Sequence, residues 1–170
     1  MRFTAILVLF GLIGVSAVAA PKKVSPFSLP QMNHANVGTL YNSAEKPNAV
    51  FVVETYFLNC PYCNDNAPNV EDFAEKYQDD PRVQVLDVGV DKTVAQYESW
   101  IRRHSPNHPV LNDGNRILVR QLGTTGYPST YVLDCRGNVL TSTSGVWSAS
   151  KLAQIDAAVQ KGLETGCPAN

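Results

Sequence analysis

The sequence has little charge and few cysteines. Only 17% of its 170 residues are charged, and 14 Lys and Arg against 15 Asp and Glu leave a formal net charge of -1. A chain this close to neutral has no electrostatic footprint for DNA or RNA, so nucleic acid is excluded as a partner. No glycine-rich phosphate loop is present, so no nucleotide cofactor is implied. The 44% hydrophobic content excludes a disordered chain, and the length suits one domain.

The first 20 residues have the layout of a cleaved secretory signal peptide. A basic start with Arg2 precedes an apolar run from about Ala5 to Val15, and small residues follow at Ala17-Val18-Ala19. The run is shorter than the roughly 20 residues that cross a bilayer, so an uncleaved membrane anchor is the less favoured interpretation. We therefore expect a signal peptide over residues 1–19 and a mature protein that is periplasmic or secreted, where disulfides persist.

The four cysteines are too sparse for a small scaffold held together by disulfides. An even number in an exported chain instead suits one catalytic pair and one structural bridge. Cys60 and Cys63 lie close together in the segment Cys-Pro-Tyr-Cys, whereas Cys135 and Cys167 stand alone. The first pair is therefore the candidate for chemistry.

Strands and helices are expected to alternate along the chain. Residues 20–48 are rich in Pro, Ser, Asn and Lys, and their short apolar pieces predict a lead-in with one or two short strands. Beyond it, apolar or β-branched runs predict strands at 49–57, 83–90, 109–111, 129–133 and 138–143, and amphipathic spacing predicts helices after Cys63, near 94–101, at 115–122 and along 152–163. This alternation predicts an α/β domain over residues 49–170, with a central sheet flanked by helices.

The Cys-Pro-Tyr-Cys segment follows a predicted buried strand and precedes a predicted helix. Two thiols at this spacing can close a small disulfide, and the unpaired N–H groups of a helix N-terminus stabilise a thiolate. We predict that Cys60, exposed and readily ionised, attacks a substrate disulfide and that the shielded Cys63 resolves the mixed disulfide. The alternatives are an inert bridge or half of a metal site. Zinc would need two more ligands, and no second CxxC or paired His supplies them, so no metal is expected.

Glu54 is an ionisable residue within the apolar segment AVFVVETYF, six residues before Cys60. Burial raises the pKa of a carboxyl, so a buried Glu54 could accept the proton of Cys63 and return it. The alternative is that Glu54 points to solvent on an incompletely covered sheet face. We favour the proton relay.

These features make the chain resemble the thioredoxin superfamily. Besides Glu54 and the cysteine turn, the matching residues are Ala67-Pro68, the segment Gly126-Tyr127-Pro128-Ser129-Thr130 before a strand, and Gly137 in the following hairpin. The resemblance implies a thioredoxin-like fold in which Pro128 is a cis-proline facing the two cysteines. An ordinary trans turn proline is the alternative.

The same resemblance implies where a substrate binds. A cis X-Pro bond presents the backbone of Tyr127 to an extended substrate segment beside Cys60. The substrate-binding candidates are Pro61, Tyr62, Tyr127 and Pro128.

Within the superfamily, the chain is most similar to the secreted TlpA-like and ResA-like thiol-disulfide oxidoreductases. The similarity rests on the Phe27-Ser28-Leu29-Pro30 lead-in and on an extra helix and short strand between Val90 and Asn115. It implies a mixed central sheet with N-terminal short strands and a TlpA-like helix-strand insertion. Asn59 replaces the aromatic residue common before the first Cys, and Pro61-Tyr62 is more similar to glutaredoxins. Substrate choice therefore does not carry over from the family.

Cys135 lies in a predicted hairpin turn, and Cys167 follows the last predicted helix. If that helix runs antiparallel to the last strand, its end returns to the turn where the strand began. We predict a structural Cys135–Cys167 disulfide that holds the C-terminus. Two free thiols, or a second redox pair that passes electrons to the first, are the alternatives.

Together these features predict a periplasmic thiol-disulfide oxidoreductase that needs no cofactor beyond its redox-active Cys60–Cys63 disulfide. Its partners would be exported proteins with disulfides or thiol pairs, and the TlpA-like features favour a reductase supplied by a membrane electron donor of the DsbD or CcdA type. The alternatives are a DsbA-type disulfide oxidase and a non-catalytic thioredoxin-like metallochaperone or binding module. A peroxidase is less favoured, because no peroxidatic Pro and Thr surround Cys60.

Overall fold

A five-stranded mixed sheet with helices on both faces organises the protein. The computed structural model describes residues 22–33 and 37–166. The strands are β1 (Ser28–Pro30), β2 (Leu40–Asn42), β3 (Val50–Tyr56), β4 (Val83–Gly89), β5 (Val110–Asn112), β6 (Ser129–Leu133) and β7 (Val139–Ser144), and the helices are α1 (Pro61–Lys76), α2 (Val94–His104), α3 (Ile117–Leu122) and α4 (Ala149–Glu164). Each of these strands and helices lies close to the segment predicted for it. The predicted thioredoxin-like fold, with an insertion formed by α2 and β5, is confirmed.

The sheet has the strand order β5-β4-β3-β6-β7. The central strand β3 is parallel to β4 and antiparallel to β6. All seven of its residues are buried, because side chains on both of its faces meet helices or loops. This explains why the sequence of the strand is an almost unbroken run of β-branched and aromatic residues, and does not alternate between apolar and polar residues.

Alternate residues of β3 contribute to two separate cores. Val50 and Val52 pack with α1 and α4 on one face, whereas Phe51 and Val53 pack with α3 and the lead-in on the other. Full burial of each such side chain stabilises the fold by about 1.5–3 kcal/mol.

The described part of the lead-in packs into the core of the sheet domain. β1 and β2 pair as an antiparallel hairpin, and Phe27 and Leu29 are buried with residues of the sheet. Gly137 has φ +79, and a Cβ added there would collide with the carbonyl oxygen of Val24, so this turn requires glycine. The predicted signal peptide, residues 1–19, lies outside the described residues. Across residues 22–33 and 37–166, no helix is both long and apolar enough to cross a bilayer.

One edge of the sheet collects the segments that form the candidate site. The carboxyl ends of the parallel strands β3, β4 and β5 lie there, and α1, α2 and α3 each begin beyond one of them. The antiparallel strand β6 starts at the same edge, just after Tyr127 and Pro128. The fold therefore brings the Cys60–Cys63 turn and the Tyr127–Pro128 loop to one end of the molecule.

Candidate active site

The two cysteines of the first pair form a disulfide at the start of α1. Cys60 is the N-cap of the helix in extended conformation, and Pro61 occupies the first turn, where its missing N–H costs no hydrogen bond. The backbone N–H of Cys63 lies 3.1 Å from the Cys60 sulfur and donates to it. A helix N-terminus thus points its partial positive charge at Cys60, as the redox interpretation requires.

Cys60 is more shielded than the sequence indicated. We expected an exposed attacking sulfur, but in the disulfide form Cys60 is 3% exposed and Cys63 is 2% exposed. The rings of Phe57 and Tyr127 meet edge to face, with centroids 5.6 Å apart, and both pack against the cluster that contains the cysteines. The expectation of an exposed Cys60 was wrong for this state, because Phe57, three residues earlier, and Tyr127, from a distant loop, pack against the cluster that contains it.

Pro61 and Tyr62 lie at the surface beside the disulfide. The Tyr62 side chain is 64% exposed, although it is a large aromatic residue. An exposed aromatic ring next to a reactive centre offers apolar contact area to a partner. The two residues therefore border the approach to the cysteines.

The Tyr127–Pro128 peptide bond is cis. Pro128 is buried, and its carbonyl oxygen accepts a hydrogen bond from the N–H of Gly145 at 2.9 Å. The Tyr127 hydroxyl lies 3.4 Å from an Arg116 guanidinium nitrogen, which donates to it. These contacts hold the loop beside the cluster that contains Cys60 and Cys63.

Glu54 lies on β3, in contact with α1 through Asn66, and is only 3% exposed. One carboxyl oxygen accepts from the Asn66 amide at 2.8 Å, and the other accepts from the Thr130 hydroxyl at 2.5 Å. Burial raises the pKa of Glu54 to about 8, although those two hydrogen bonds oppose the shift. The alternative in which Glu54 faces solvent is therefore wrong.

Asn66 links Glu54 to the redox helix. It follows Cys63 by one helical turn, so the two side chains lie on the same face of α1, towards the sheet. Its oxygen accepts from the backbone N–H of Trp147 at 2.8 Å, and the Trp147 indole donates to Thr130 at 2.7 Å. Glu54 is thus held in a buried polar network that reaches α1 one helical turn after the second cysteine.

Asn64 is a site residue that the sequence did not reveal. Its amide nitrogen donates to the carbonyl oxygens of Leu58 at 2.9 Å and Cys60 at 2.8 Å. Its oxygen lies 2.6 Å from an Arg103 guanidinium nitrogen and 3.0 Å from His104 Nε2. Asn64 therefore fixes the turn before Cys60 and connects it to α2. The only sequence signal was a polar residue directly after the second cysteine.

The second pair of cysteines lies away from this site. Cys135 is in the turn between β6 and β7, at the opposite end of β6 from Pro128. It is not a free thiol. Its predicted partner Cys167 lies outside the described residues, so the Cys135–Cys167 bridge stays a prediction.

No group of three or more His, Cys, Asp or Glu side chains in residues 22–33 and 37–166 is arranged to hold a metal ion. The cysteine turn instead brings together a disulfide, a helix N-terminus and a buried carboxyl. Such a set can exchange disulfides with another molecule and move the proton that the exchange involves.

Comparison with known proteins agrees with this geometry. A family model described as AhpC/TSA family matches residues 20–142, most of the chain. The chloroplastic protein SUPPRESSOR OF QUENCHING 1 of Arabidopsis thaliana is 24% identical over 132 residues, which cover 75% of this chain and 12% of that protein. The chain thus spans a small part of the length of the curated relatives it matches.

Solved structures share the fold. A thiol:disulfide interchange protein of the thioredoxin family from Chlorobium tepidum superposes with a TM-score of 0.69 at 22% identity, over 86% of this chain and 99% of that one. A secreted Mycobacterium tuberculosis disulfide oxidoreductase, described as homologous to E. coli DsbE, gives a TM-score of 0.63 at 18% identity, over 79% and 95% of the two chains. At these identities the likeness concerns the fold.

Proposed function

Since the chain belongs to the AhpC/TSA family, we propose that it is a periplasmic thiol-disulfide oxidoreductase that exchanges disulfides with exported proteins through Cys60 and Cys63. The observation that carries the proposal is the Cys60–Cys63 disulfide at the N-terminus of α1, the helix whose Asn66 donates to the buried carboxyl of Glu54. The relatives by fold are described as a thiol:disulfide interchange protein and a disulfide oxidoreductase, which supports the same reaction class.

The reaction begins from the reduced protein. The Cys60 thiolate, stabilised by the helix N-terminus, attacks one sulfur of a substrate disulfide and forms a mixed disulfide. The other substrate sulfur leaves as a thiolate and takes a proton from water. Cys63 then gives up its proton and attacks the Cys60 sulfur, and the Cys60–Cys63 disulfide forms. The second substrate sulfur leaves as a thiolate and also takes a proton from water, so the substrate is released as a dithiol. Two electrons pass from the protein to the substrate, and the protein ends in the disulfide state of this structure.

Glu54 acts in the second of these steps. Cys63 must lose its proton to become a nucleophile, and the Glu54 carboxyl, bonded to Asn66 one helical turn further along, has a pKa raised to about 8. A carboxyl with a pKa near neutrality can take up a proton and release it again under the same conditions. Asn66 and Thr130 keep the carboxyl in place in both states through their hydrogen bonds.

The substrate segment binds between Pro61 and Tyr62 on one side and Tyr127 and Pro128 on the other. Because Cys60 is buried in a cluster against which Phe57 and Tyr127 pack, a substrate must either displace these rings or bind along them. An extended peptide that runs beside the Tyr127 backbone satisfies the second requirement. This arrangement suits a cysteine in an exposed, extended part of another protein.

We favour a reductase over an oxidase. The lead-in and the α2–β5 insertion are the TlpA-like features of the chain, and no large helical insertion of the DsbA type occurs in residues 22–33 and 37–166. A membrane electron donor of the DsbD or CcdA type would return the disulfide to the dithiol after each cycle.

The reduction potential of the Cys60/Cys63 pair tests the proposal. Equilibration of the purified protein with glutathione buffers, followed by thiol counting, gives the potential. A value near thioredoxin's, about -270 mV, supports the reductase, and a value near about -120 mV indicates an oxidase instead. C63S should trap a mixed disulfide with substrate through Cys60, whereas C60S should trap none. If neither the protein nor C63S reacts with any protein disulfide, and copper or zinc copurifies in stoichiometric amount, the binding-module alternative replaces the enzyme.

A further inference from the structure

Two exposed cations lie on a series of contacting loops beside the Cys60–Cys63 disulfide. Arg116, the residue before α3, donates to the Tyr127 hydroxyl at 3.4 Å, and Tyr127 packs against the cluster that contains the cysteines. Two residues before Arg116, the carbonyl oxygen of Gly114 accepts a hydrogen bond from the ammonium group of Lys92. The contacts therefore connect the loop before α3 with the Tyr127 loop and with the loop after β4.

The loop after β4 also contacts the turn before Cys60. The backbone N–H of Leu58 donates to a carboxyl oxygen of Asp91 at 2.9 Å, and Leu58 packs against the cluster that contains the cysteines. Lys92 follows Asp91 directly. We call the residues from the Tyr127 loop through Arg116 to Lys92 the basic edge of the site.

The exposed charges of the basic edge are positive. Arg116 and Lys92 are both exposed, and neither forms a salt bridge with a carboxylate in the part of the chain that the structure describes. The neighbouring carboxyls of Asp91 and Asp113 are only 6% and 1% exposed, and burial raises the pKa of both. The two cations are therefore the charges that an approaching molecule contacts at this edge.

The backbone of Arg116 has an unfavourable conformation. Its φ of 57° and ψ of 39° lie in the left-handed region, which Gly and Asn adopt more readily than Arg. Its N–H donates to the Asp113 carbonyl oxygen at 2.7 Å, and the Asp113 carboxyl accepts from the N–H of Ile117 at 2.6 Å. Strained residues concentrate at functional sites, where the surrounding structure holds them. The loop thus fixes the backbone from which the guanidinium reaches Tyr127.

The opposite side of the cysteine turn has a different charge. Tyr62 on α1 is 64% exposed, and Asp65, three residues later and on the same face of the helix, is an exposed acid. A substrate segment that binds between α1 and the Tyr127 loop therefore has an acid on one side and Arg116 on the other. Charge complementarity favours a segment whose carboxylate lies on the Tyr127 side.

We propose that Arg116 binds a carboxylate beside the reactive cysteine of the substrate, so that the protein acts preferentially on exported proteins whose disulfide lies in an acidic, extended segment. This inference rests on the proposed exchange function and names the class of partner for it. Arg116 is the specificity-determining residue. Lys92 contributes less, because its ammonium group already donates to the Gly114 carbonyl.

The guanidinium can bind a carboxylate and keep its contact with Tyr127. That contact uses one of its five N–H donors. A carboxylate can accept two parallel hydrogen bonds from the planar group. The Tyr127 hydroxyl thus orients Arg116 towards a substrate segment that lies along the Tyr127 backbone.

Three cyclic peptides test the preference. They are equal in length, are closed by one internal disulfide, and differ only in carrying Glu, Gln or Lys beside each cysteine. Reduced full-length protein is mixed with each peptide at low ionic strength, and the dithiol peptide that forms is separated and quantified over time. Each rate constant is divided by that of the same peptide with dithiothreitol, which removes the peptide's own reactivity.

We expect the normalised rate constant to be about fivefold higher for the Glu peptide than for the Lys peptide, with the Gln peptide between them. This factor is the upper range for an exposed ion pair. Added salt should reduce the difference, because salt screens exposed charges.

R116Q and R120Q form a matched pair that changes the net charge equally. Arg120 is exposed in the last turn of α3, one helical turn after Arg116. R116Q should lower the ratio of the Glu to the Lys peptide to about twofold or less, and R116E should reverse it. R116K should keep most of the preference, because it keeps the charge. R120Q should keep the ratio of the unmodified protein.

The outcomes separate the two proposals. If the reduced protein reduces none of the peptides, the exchange function fails and the preference with it. If it reduces all three at equal normalised rates, or if R116Q and R120Q give the same ratio, the exchange function stands and recognition by Arg116 is wrong.

Sedimentation of the reduced protein tests a different occupant of the basic edge. A dimer that R116Q converts to a monomer would show that the edge binds a second copy of the chain, which would overturn the proposal. Near-ultraviolet circular dichroism checks that each variant folds. Should R116Q fail to fold, the opposite expectations for R116K and R116E decide the question.

Discussion

The protein has two cysteine-bearing turns, at opposite ends of the neighbouring strands β3 and β6. The first turn follows Tyr56 at the end of β3 and contains Cys60 and Cys63, and the second follows Leu133 at the end of β6 and contains Cys135. Each turn has a carboxyl close by, Glu54 below the first and Asp134 within the second. The two turns thus have similar chemical groups but different structures.

The difference lies in what holds each carboxyl. Asp134 accepts hydrogen bonds from the backbone N–H groups of Arg136 and Asn138 at 2.9 and 2.8 Å, so its charge stabilises the turn itself. Glu54 accepts only from side chains and is buried, so its proton affinity is raised instead. A carboxyl beside a cysteine therefore indicates a role in proton transfer only where backbone N–H groups do not already donate hydrogen bonds to it.

The largest expected effect is on the rate of disulfide exchange, which a cysteine substitution in the first turn should abolish and one in the second turn should not change. C60S should lower the rate of disulfide exchange by about a thousandfold or more, because no other group near the turn can replace the attacking sulfur. C135S should leave the exchange rate unchanged, because Cys135 lies at the far end of β6. Turnover of a disulfide-bonded protein substrate measures both. Equal losses in the two variants would contradict the division between a reactive turn and a structural turn.

Glu54→Gln should change how stability depends on pH. The pKa of Glu54 is raised from 4.5 to about 8 in the folded protein, so the folded state keeps a proton that the unfolded chain releases in this window. The free energy of unfolding therefore falls as pH rises from about 4.5 to about 8, and E54Q, which cannot ionise, lacks this contribution. We expect the unmodified protein to lose several kcal/mol relative to E54Q across the window.

Urea unfolding of both proteins at several pH values measures the difference. Asp134→Asn is the matched carboxyl change in the second turn, and it should lower stability because it weakens the hydrogen bonds that Asp134 accepts from the turn. Parallel stability curves for E54Q and the unmodified protein would show that Glu54 does not bind a proton as described.

Cys135→Ser should lower stability without lowering activity. If Cys135 pairs with Cys167, closing a loop of roughly 30 residues stabilises the fold by about 3 kcal/mol. C63S removes a much shorter loop and should cost less. Thermal unfolding under non-reducing conditions compares the two variants, and mapping of the disulfides identifies the bonds. A C135S protein as stable as the parent would mean that no such bridge exists.

The sequence predicted the local parts of the fold and site well. The strand β3, the cysteine turn and α1 each follow from a short pattern: a β-branched run, a CxxC segment and the helical spacing of Val70, Phe73 and Tyr77. The burial of Glu54 followed from its position within the apolar run. Such features depend on neighbours in sequence, and a single sequence contains them.

The parts that were missed depend on contacts between distant segments. Tyr127 packs against the cluster that contains Cys60, and Asn64 contacts Arg103 and His104, about 40 residues further along. The pairing of His108 with Asp87 requires β4 and the loop before β5 to be adjacent. No local sequence pattern predicts these tertiary contacts, so the sequence alone indicated no role for the three His residues.

The smallest expected effect concerns the tether between the first turn and α2. Arg103 donates to Asn64, whose amide holds the carbonyl of Cys60. R103A should lower the exchange rate by only about threefold, because His104 still donates to Asn64.

Arg102 provides the matched control, since its contacts are with Glu98 and Ser99 on its own helix. R102A should therefore leave both the exchange rate and the amide hydrogen exchange of residues 58–63 unchanged, whereas R103A should speed amide exchange there. The second turn should be unaffected in both variants, because it is held by bonds to its own Asp134 and by the Val24 N–H that donates to Gly137, and not by α2. If R102A and R103A behave alike, α2 does not hold the reactive turn, and the two turns differ only in their own residues.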